Sequence, residues 1–297
     1  MCCCFFILSG YTFKIKKEKF LIYVKNKFIR IMIPYFVWAL LFLIPYMLFG
    51  GTVEESIGTS SSFDLKTQII NILYGNGNMS ALKQNSSLWF LPALFTMEIV
   101  YYFVINLINK NRKLQIPVLV ILLALSYITN MFFPIILPWG INTVLELGIF
   151  FYVGYLLRYH NIFDKKSKLC DNSCITFILT IGLLACFLNN HNVSCIEYEY
   201  GNFTLALISG LTLSIFTIYI AYLINKNKFL EYIGQNTMGI LVFHKLIILV
   251  FQTKLGVISS MLENSNIVIE VLLTIVITSL SIFFSLVATE ITKKIMP

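Results

Sequence analysis

Long apolar runs separated by short polar breaks dominate the chain. A membrane-spanning helix needs ~20 largely apolar residues to cross ~30 Å of hydrocarbon, whereas barrel strands would read as ~10-residue alternating segments. The pattern predicts spans at 31–50, 88–109, 116–133, 141–158, 174–190, 203–225, 230–252 and 267–291. The fold class is therefore all-α: a polytopic helical membrane protein with about eight full transmembrane helices and a partial one at the N-terminus. The longest polar break, 51–87, is rich in Gly, Ser and Asn. Within it Leu65–Tyr74 has a mixed pattern that suits a short helix on the membrane surface.

Composition agrees with this pattern. Of 297 residues, 58% are hydrophobic and 12% charged, and the mean hydropathy of +0.82 is far above that of a soluble domain. Charge then orients the spans, because Lys and Arg in short loops stay on the cytoplasmic side. If the run from Lys14 to Arg30 is inside, the loops holding Lys110, Arg112 and Lys113, then Arg158, Lys165, Lys166 and Lys168, then Lys226 and Lys228, and finally Lys293 and Lys294, are inside as well. That places 18 of the 22 basic residues on one side. The opposite loops carry Glu54, Glu55, Asp64, Glu197, Glu199 and Glu263. The expected location is the plasma membrane, with the lipid bilayer as first partner and the C-terminus cytoplasmic. The net charge of +8 is scattered among loops and forms no continuous face for a duplex, so no nucleic-acid partner is expected. The seven cysteines show no CxxC and no His at ligand spacing, so no metal is expected.

The opening stretch FFILSGYTF is too short to span. From Cys2 to Phe13 a helix covers ~18 Å, little more than half a bilayer. A signal peptide carries its charge before the apolar core, and here the charge follows it. Two readings stand: a re-entrant segment sheltered by neighbouring helices, or a chain that has lost its beginning, which is the expectation favoured here. Ser9 and Gly10 suit close helix packing better than a nucleophile role for Ser9.

Four passages carry a resemblance. FFILSGYTF is followed by KNKFIRIMIPYFVW (Lys25 to Trp38). SSLWFLPALF (Ser86 to Phe95) and FLEYIGQNTMGILVFHKLII (Phe229 to Ile248) come later. Together they resemble the membrane-bound acyltransferase 3 family, in an order that covers essentially the whole chain as one integral membrane domain, 1–297. The resemblance implies an O-acyltransferase that takes an acyl group, often acetyl, from cytoplasmic acyl-CoA (acetyl-CoA) as co-substrate. The acceptor it implies is a hydroxyl of an envelope carbohydrate or glycolipid. Family members typically have ten spans, the first carrying a histidine that has no counterpart in this chain. An N-terminally truncated and incomplete copy is therefore expected, with activity in doubt.

Lys27 and Arg30 match the family's basic motif at the inner membrane edge. Three residues apart, they would share one helical face and meet CoA phosphates, or serve only as an anchor touching anionic lipid. His244, Lys245, Glu98 and Glu146 lie inside predicted spans. Measured along continuous helices from the inner edge, they share one depth, ~17–21 Å. Charges at that depth are expected to face the interior and pair. One reading is a polar cavity in which His244 exchanges a proton, with Glu98 and Glu146 as catalytic partners and Lys245 binding substrate. The other is a structural ion pair between Lys245 and a glutamate. Trp89 and Trp139 are read as interfacial belt residues, Trp89 also as a platform for sugar. The rival functions are a multispan transporter or flippase for a sugar, lipid intermediate or amino acid, and a non-catalytic remnant. The acceptor, the acyl chain and the oligomeric state are not encoded legibly.

Overall fold

Apolar helices form along nearly the whole chain. The computed structural model describes residues 2–15, 19–57, 64–75, 82, 85–132, 137–163, 172–195, 197–224, 226–254 and 267–295. The helices are α1 (Cys2–Thr12), α2 (Phe20–Lys27), α3 (Ile33–Ile57), α4 (Leu65–Tyr74), α5 (Phe90–Lys110), α6 (Gln115–Phe132), α7 (Ile141–Tyr159), α8 (Asn172–Asn189), α9 (Phe203–Ile224), α10 (Lys228–Gln235), α11 (Thr237–Lys254) and α12 (Ile267–Ile295). A π-helical turn, Phe28–Met32, joins α2 to α3, and single 3-10 turns at Ser86–Trp89, Arg112–Leu114 and Pro138–Gly140 lead into α5, α6 and α7. Among the described residues the only β pairing is one isolated bridge, between Ser194 and Glu199.

Six helical stretches among the described residues are long and apolar enough to cross a membrane: Phe20–Met47, Ser86–Lys110, Arg112–Phe132, Pro138–Tyr159, Phe203–Ile224 and Val271–Lys294. α1, α8 and α11 are shorter apolar helices. Many large apolar side chains on these helices lie exposed, among them Ile116, Phe177 and Phe187, as a lipid-facing surface requires. The chain is a helical membrane protein, and the predicted short helix at Leu65–Tyr74 is present as α4.

The helices divide into two compact units. One gathers the described residues within 1–34, 74–79 and 89–225; the other those within 35–73, 80–88 and 226–297. In the first unit α7 is the most buried helix. Leu147, Ile149, Phe150, Phe151 and Tyr152 are all enclosed. α1 lies along it backbone to backbone: a Cβ on Gly10 would run into the Phe151 carbonyl, and one on Gly154 into the Ile7 carbonyl. Small residues allow such an approach where no water drives helices together, so dispersion contacts at short range do the work. The packing role expected of Gly10 is thus observed, and Phe6 and Ile7 of α1 are fully buried.

In the second unit α11 packs against α12, where Ser281, Ser285 and Thr289 form a buried i, i+4, i+8 stripe. Ser285 Oγ donates to the Ser281 carbonyl at 2.6 Å and Thr289 Oγ1 to the Ser285 carbonyl at 2.7 Å. Tyr35 Oη ties α3 to α4 by donating to the Ile72 carbonyl at 2.8 Å.

One predicted span is corrected. The run 230–252 is broken: α10 ends at Gln235, Asn236 leaves helical geometry at φ −102° and ψ 10°, and α11 restarts at Thr237. Asn227 caps α10, its Oδ1 accepting from the Phe229 and Leu230 N–H groups at 3.0 and 3.2 Å. Asn236 Nδ2 closes the other end on the Tyr232 carbonyl at 2.8 Å. No residue of α10 is buried, and Phe229 and Leu230 are exposed. It is a short amphipathic helix, not the first two turns of a span.

Candidate functional site

The site residues read from sequence fall into three local arrangements. The first joins α2 to α5. Lys27 Nζ lies 2.5 Å from Glu98 Oε2 and 5.7 Å from the centre of the Tyr23 ring. The two side chains are 25% and 12% exposed, so this is a largely dehydrated ion pair. Lys27 thus meets a glutamate that lies inside a predicted span. Arg30, three residues on, also acts electrostatically on Glu98. Between them the chain enters the π turn, which bonds i to i+5. Lys27 is drawn in to Glu98 while Arg30 is exposed.

The second arrangement surrounds Glu146 on α7. Its carboxylate Oε2 accepts from Tyr200 Oη at 2.7 Å, and its main-chain carbonyl accepts from Ser126 Oγ of α6, also at 2.7 Å. Glu146 is 2% exposed. Tyr200 is delivered by the loop between α8 and α9, which folds on itself through the Ser194–Glu199 bridge. Asn189 Nδ2 holds the Tyr200 carbonyl at 2.9 Å, and Asn189 Oδ1 accepts the Asn202 N–H at 2.7 Å. Burial and the facing Glu146 carboxylate push the Tyr200 hydroxyl above its ordinary value, so it stays a donor.

The third arrangement, in the second unit, holds His244 and Lys245. His244 Nδ1 is 2.8 Å from the Ile240 carbonyl, and Nε2 is 3.4 Å from Ser87 Oγ. A carbonyl can only accept, so the neutral ring carries its proton on Nδ1 and turns the Nε2 lone pair to the Ser87 hydroxyl. Lys245 Nζ donates to Ser86 Oγ. The serine-bearing turn is itself pinned, since Asn85 Nδ2 donates to the Val242 carbonyl at 2.7 Å and Asn85 Oδ1 accepts from the Ser87 N–H at 3.1 Å. Ser281 Oγ of α12 adds a bond to the His244 carbonyl at 3.2 Å.

With α11 starting at Thr237, His244 lies only ~10 Å along its helix. The depth expected for His244 and Lys245 rests on one continuous helix, and that helix is interrupted at Asn236. Glu98 and Glu146 belong to the first unit and His244 and Lys245 to the second. Within the first unit each glutamate has its own partner, Lys27 for one and Tyr200 for the other. Trp89 is 5% exposed and packs edge-on to Phe90 at 6.3 Å, so its indole is an interior group and not an exposed belt residue.

Sequence reasoning missed Asn85, Ser86, Ser87 and Tyr200. Ser86 and Ser87 open the SSLWFLPALF passage and Asn85 precedes it, and nothing local in that pattern marks them as partners of α11. Tyr200 sits in a polar loop 54 residues from Glu146, with no local pattern to mark it.

The acyltransferase-domain family model of the acyltransferase 3 type matches residues 2–289. The chain belongs to the acyltransferase 3 family. No curated protein and no solved structure matches it significantly. The family is one of membrane acyltransferases, and the passages at Phe5–Phe13, Lys25–Trp38, Ser86–Phe95 and Phe229–Ile248 all fall inside the matched range.

Proposed function

We propose that this acyltransferase 3 protein moves an acyl group, acetyl in the simplest case, from cytoplasmic acyl-CoA to a hydroxyl of an envelope polysaccharide or glycolipid at the plasma membrane. The observation that carries the reading, beside the family match, is the orientation of His244: Nδ1 is committed to the Ile240 carbonyl and Nε2 faces a hydroxyl, that of Ser87. An acceptor hydroxyl brought to the same lone pair would lose its proton to Nε2 as its oxygen attacks the thioester carbonyl, and the C–S bond then breaks to release CoA. A general base of this kind contributes ~10²–10⁴-fold. Lys245, held on Ser86, supplies a positive charge beside the base. Arg30, exposed in the π turn ahead of α3, is the residue of the basic motif that an anionic group such as a phosphate would meet. Lys27 is engaged by Glu98 and serves position rather than binding.

The test is transfer of labelled acetyl from acetyl-CoA to glycan in membranes carrying the protein. His244→Gln should reduce transfer ~10²-fold or more without loss of folded protein. Undiminished transfer by that variant would remove His244 from the chemistry. Solute uptake by vesicles without any acyl donor would favour a transporter instead.

A further inference from the structure

Three helices of the first unit end together: α1 at Thr12, α5 at Lys110 and α7 at Tyr159. Their ends line an open pocket of about 410 Å³, within the ~300–1,000 Å³ common for small-ligand sites. Its polar lining is Lys14, Asn109, Tyr155, Arg158, Tyr159 and Asn161; the remaining lining residues are apolar, and no carboxylate is among them. Arg158 Nη1 donates to the Tyr11 carbonyl at 3.1 Å, which fixes the guanidinium plane and uses one of its five N–H donors. Tyr155 Oη donates to Asn109 Oδ1 at 2.9 Å, so the Asn109 amide keeps its N–H donors for another acceptor. Arg112 lies over the Tyr159 ring, 5.6 Å from its centre.

The charge balance decides what such a cavity attracts. Three helix C-termini contribute roughly half a negative charge each and alone would favour a cation. Two formal positive charges in the lining and a third on the outer ring reverse that sign. What results is a small basic pocket with amide donors and two tyrosine rings. A phosphate presents several acceptor oxygens to such a set, and a forked guanidinium meets two of them at once.

We propose that this cavity binds the phosphate group of an organic phosphate, with Arg158 and Lys14 on the oxygens and the tyrosine rings beside the organic part. Two sources share this chemistry: the nucleotide end of a CoA-type donor and the phosphodiester of an anionic lipid. The nucleotide source rests on the acyl-transfer reading; the lipid source does not.

The full chain in zwitterionic nanodiscs is titrated with adenosine 3′,5′-bisphosphate, the nucleotide portion of CoA. In parallel, phosphatidylglycerol retained against phosphatidylcholine is measured by native mass spectrometry. Lys14→Gln and Arg158→Gln should each weaken the bound ligand roughly 10- to 100-fold, the range of a lost charge-assisted bond. Lys66→Gln, outside the first unit, should leave binding unchanged. If Arg158→Gln fails to fold for want of its bond to Tyr11, Lys14→Gln decides, because Lys14 is exposed and lies beyond the end of α1. Saturable nucleotide binding that Lys14→Gln weakens assigns the donor source. Selective lipid retention that the nucleotide does not displace assigns the lipid source. Retention of neither ligand, or equal retention by wild type and Lys14→Gln, overturns the proposal. Phosphate binding that persists in a protein with no acyl transfer would sink the acyl-transfer reading alone.

Discussion

Lys27 Nζ stands 2.5 Å from Glu98 Oε2, joining the end of α2 to the middle of α5 across 71 positions of sequence. Lys27 neutralises this interior carboxylate directly, and Arg30, itself exposed, acts on it electrostatically. Removing one partner strands the other. Lys27→Gln should therefore destabilise by about 3–5 kcal/mol, the range for breaking a buried pair. Lys27→Gln with Glu98→Gln should recover much of the loss, because no charge is then left dehydrated. A double-mutant cycle on thermal or denaturant unfolding in detergent reads the coupling. Additive losses would show that the two side chains do not interact.

The contact between α1 and α7 makes a second expectation. Gly154→Ala puts a methyl into the Ile7 carbonyl, and Gly10→Ala puts one into the Phe151 carbonyl. Backbone cannot rotate away as a flexible side chain can, so each change should cost at the upper end of the ~1–3 kcal/mol typical of overpacking, or more. Cysteine cross-linking or limited proteolysis near residues 10–15 should report α1 released from α7. Unchanged protection in both variants would contradict the close approach.

These two contacts also show where reading the chain stops. Apolar run length placed the long helices, and polar patterning placed α4, because both are local consequences of solvent and periodicity. The break at Asn236 was legible in principle: Asn227 ahead of KFLEYI is a helix start, and Gly234 and Asn236 are poor continuations. Apolar residues on both sides masked it, and the depth assigned to His244 rests on an unbroken helix. The partners of Glu98, Glu146 and His244 lie 71, 54 and 157 positions away. No periodicity encodes such meetings; they follow from packing. Charge counting could say that an interior carboxylate needs a partner, but not that Lys27 would be it.

Tyr200 provides a third test. Its hydroxyl is held above its ordinary value by burial first and by Glu146 second, so it remains protonated and donating throughout the physiological range. Tyr200→Phe keeps the ring and deletes the donor. Glu146, itself buried, then loses that bond at a cost of about 1–3 kcal/mol. Glu146→Gln in the same background should restore part of it, since a neutral amide has less charge to satisfy. Infrared difference spectroscopy of the carboxyl stretch would register the altered Glu146 environment. An identical carboxyl signal in wild type and Tyr200→Phe would show that the bond is not formed.

A pH-dependent cap closes the set. Asp64 precedes α4, and its Oδ2 accepts from the Thr67 hydroxyl and from the Thr67 N–H at 3.2 Å, while Oδ1 accepts the Lys66 N–H at 3.2 Å. The Thr67 hydroxyl, then its N–H, holds the Asp64 carboxyl below the ordinary carboxylate value. A depressed value in the folded state means the cap contributes fully above the unfolded Asp value of ~3.9 and is lost as pH falls through the lower, folded one. Asp64→Asn keeps an acceptor oxygen at the cap without the charge, so its α4 should be nearly insensitive to pH in that window. Asp64→Ala should fray α4 at every pH. Hydrogen exchange across residues 66–70, corrected for intrinsic rates and compared between pH 5 and pH values below ~3, separates the three. Wild-type protection that does not fall on acidification, or that matches Asp64→Ala already at pH 5, would show that the carboxylate does not hold this helix end.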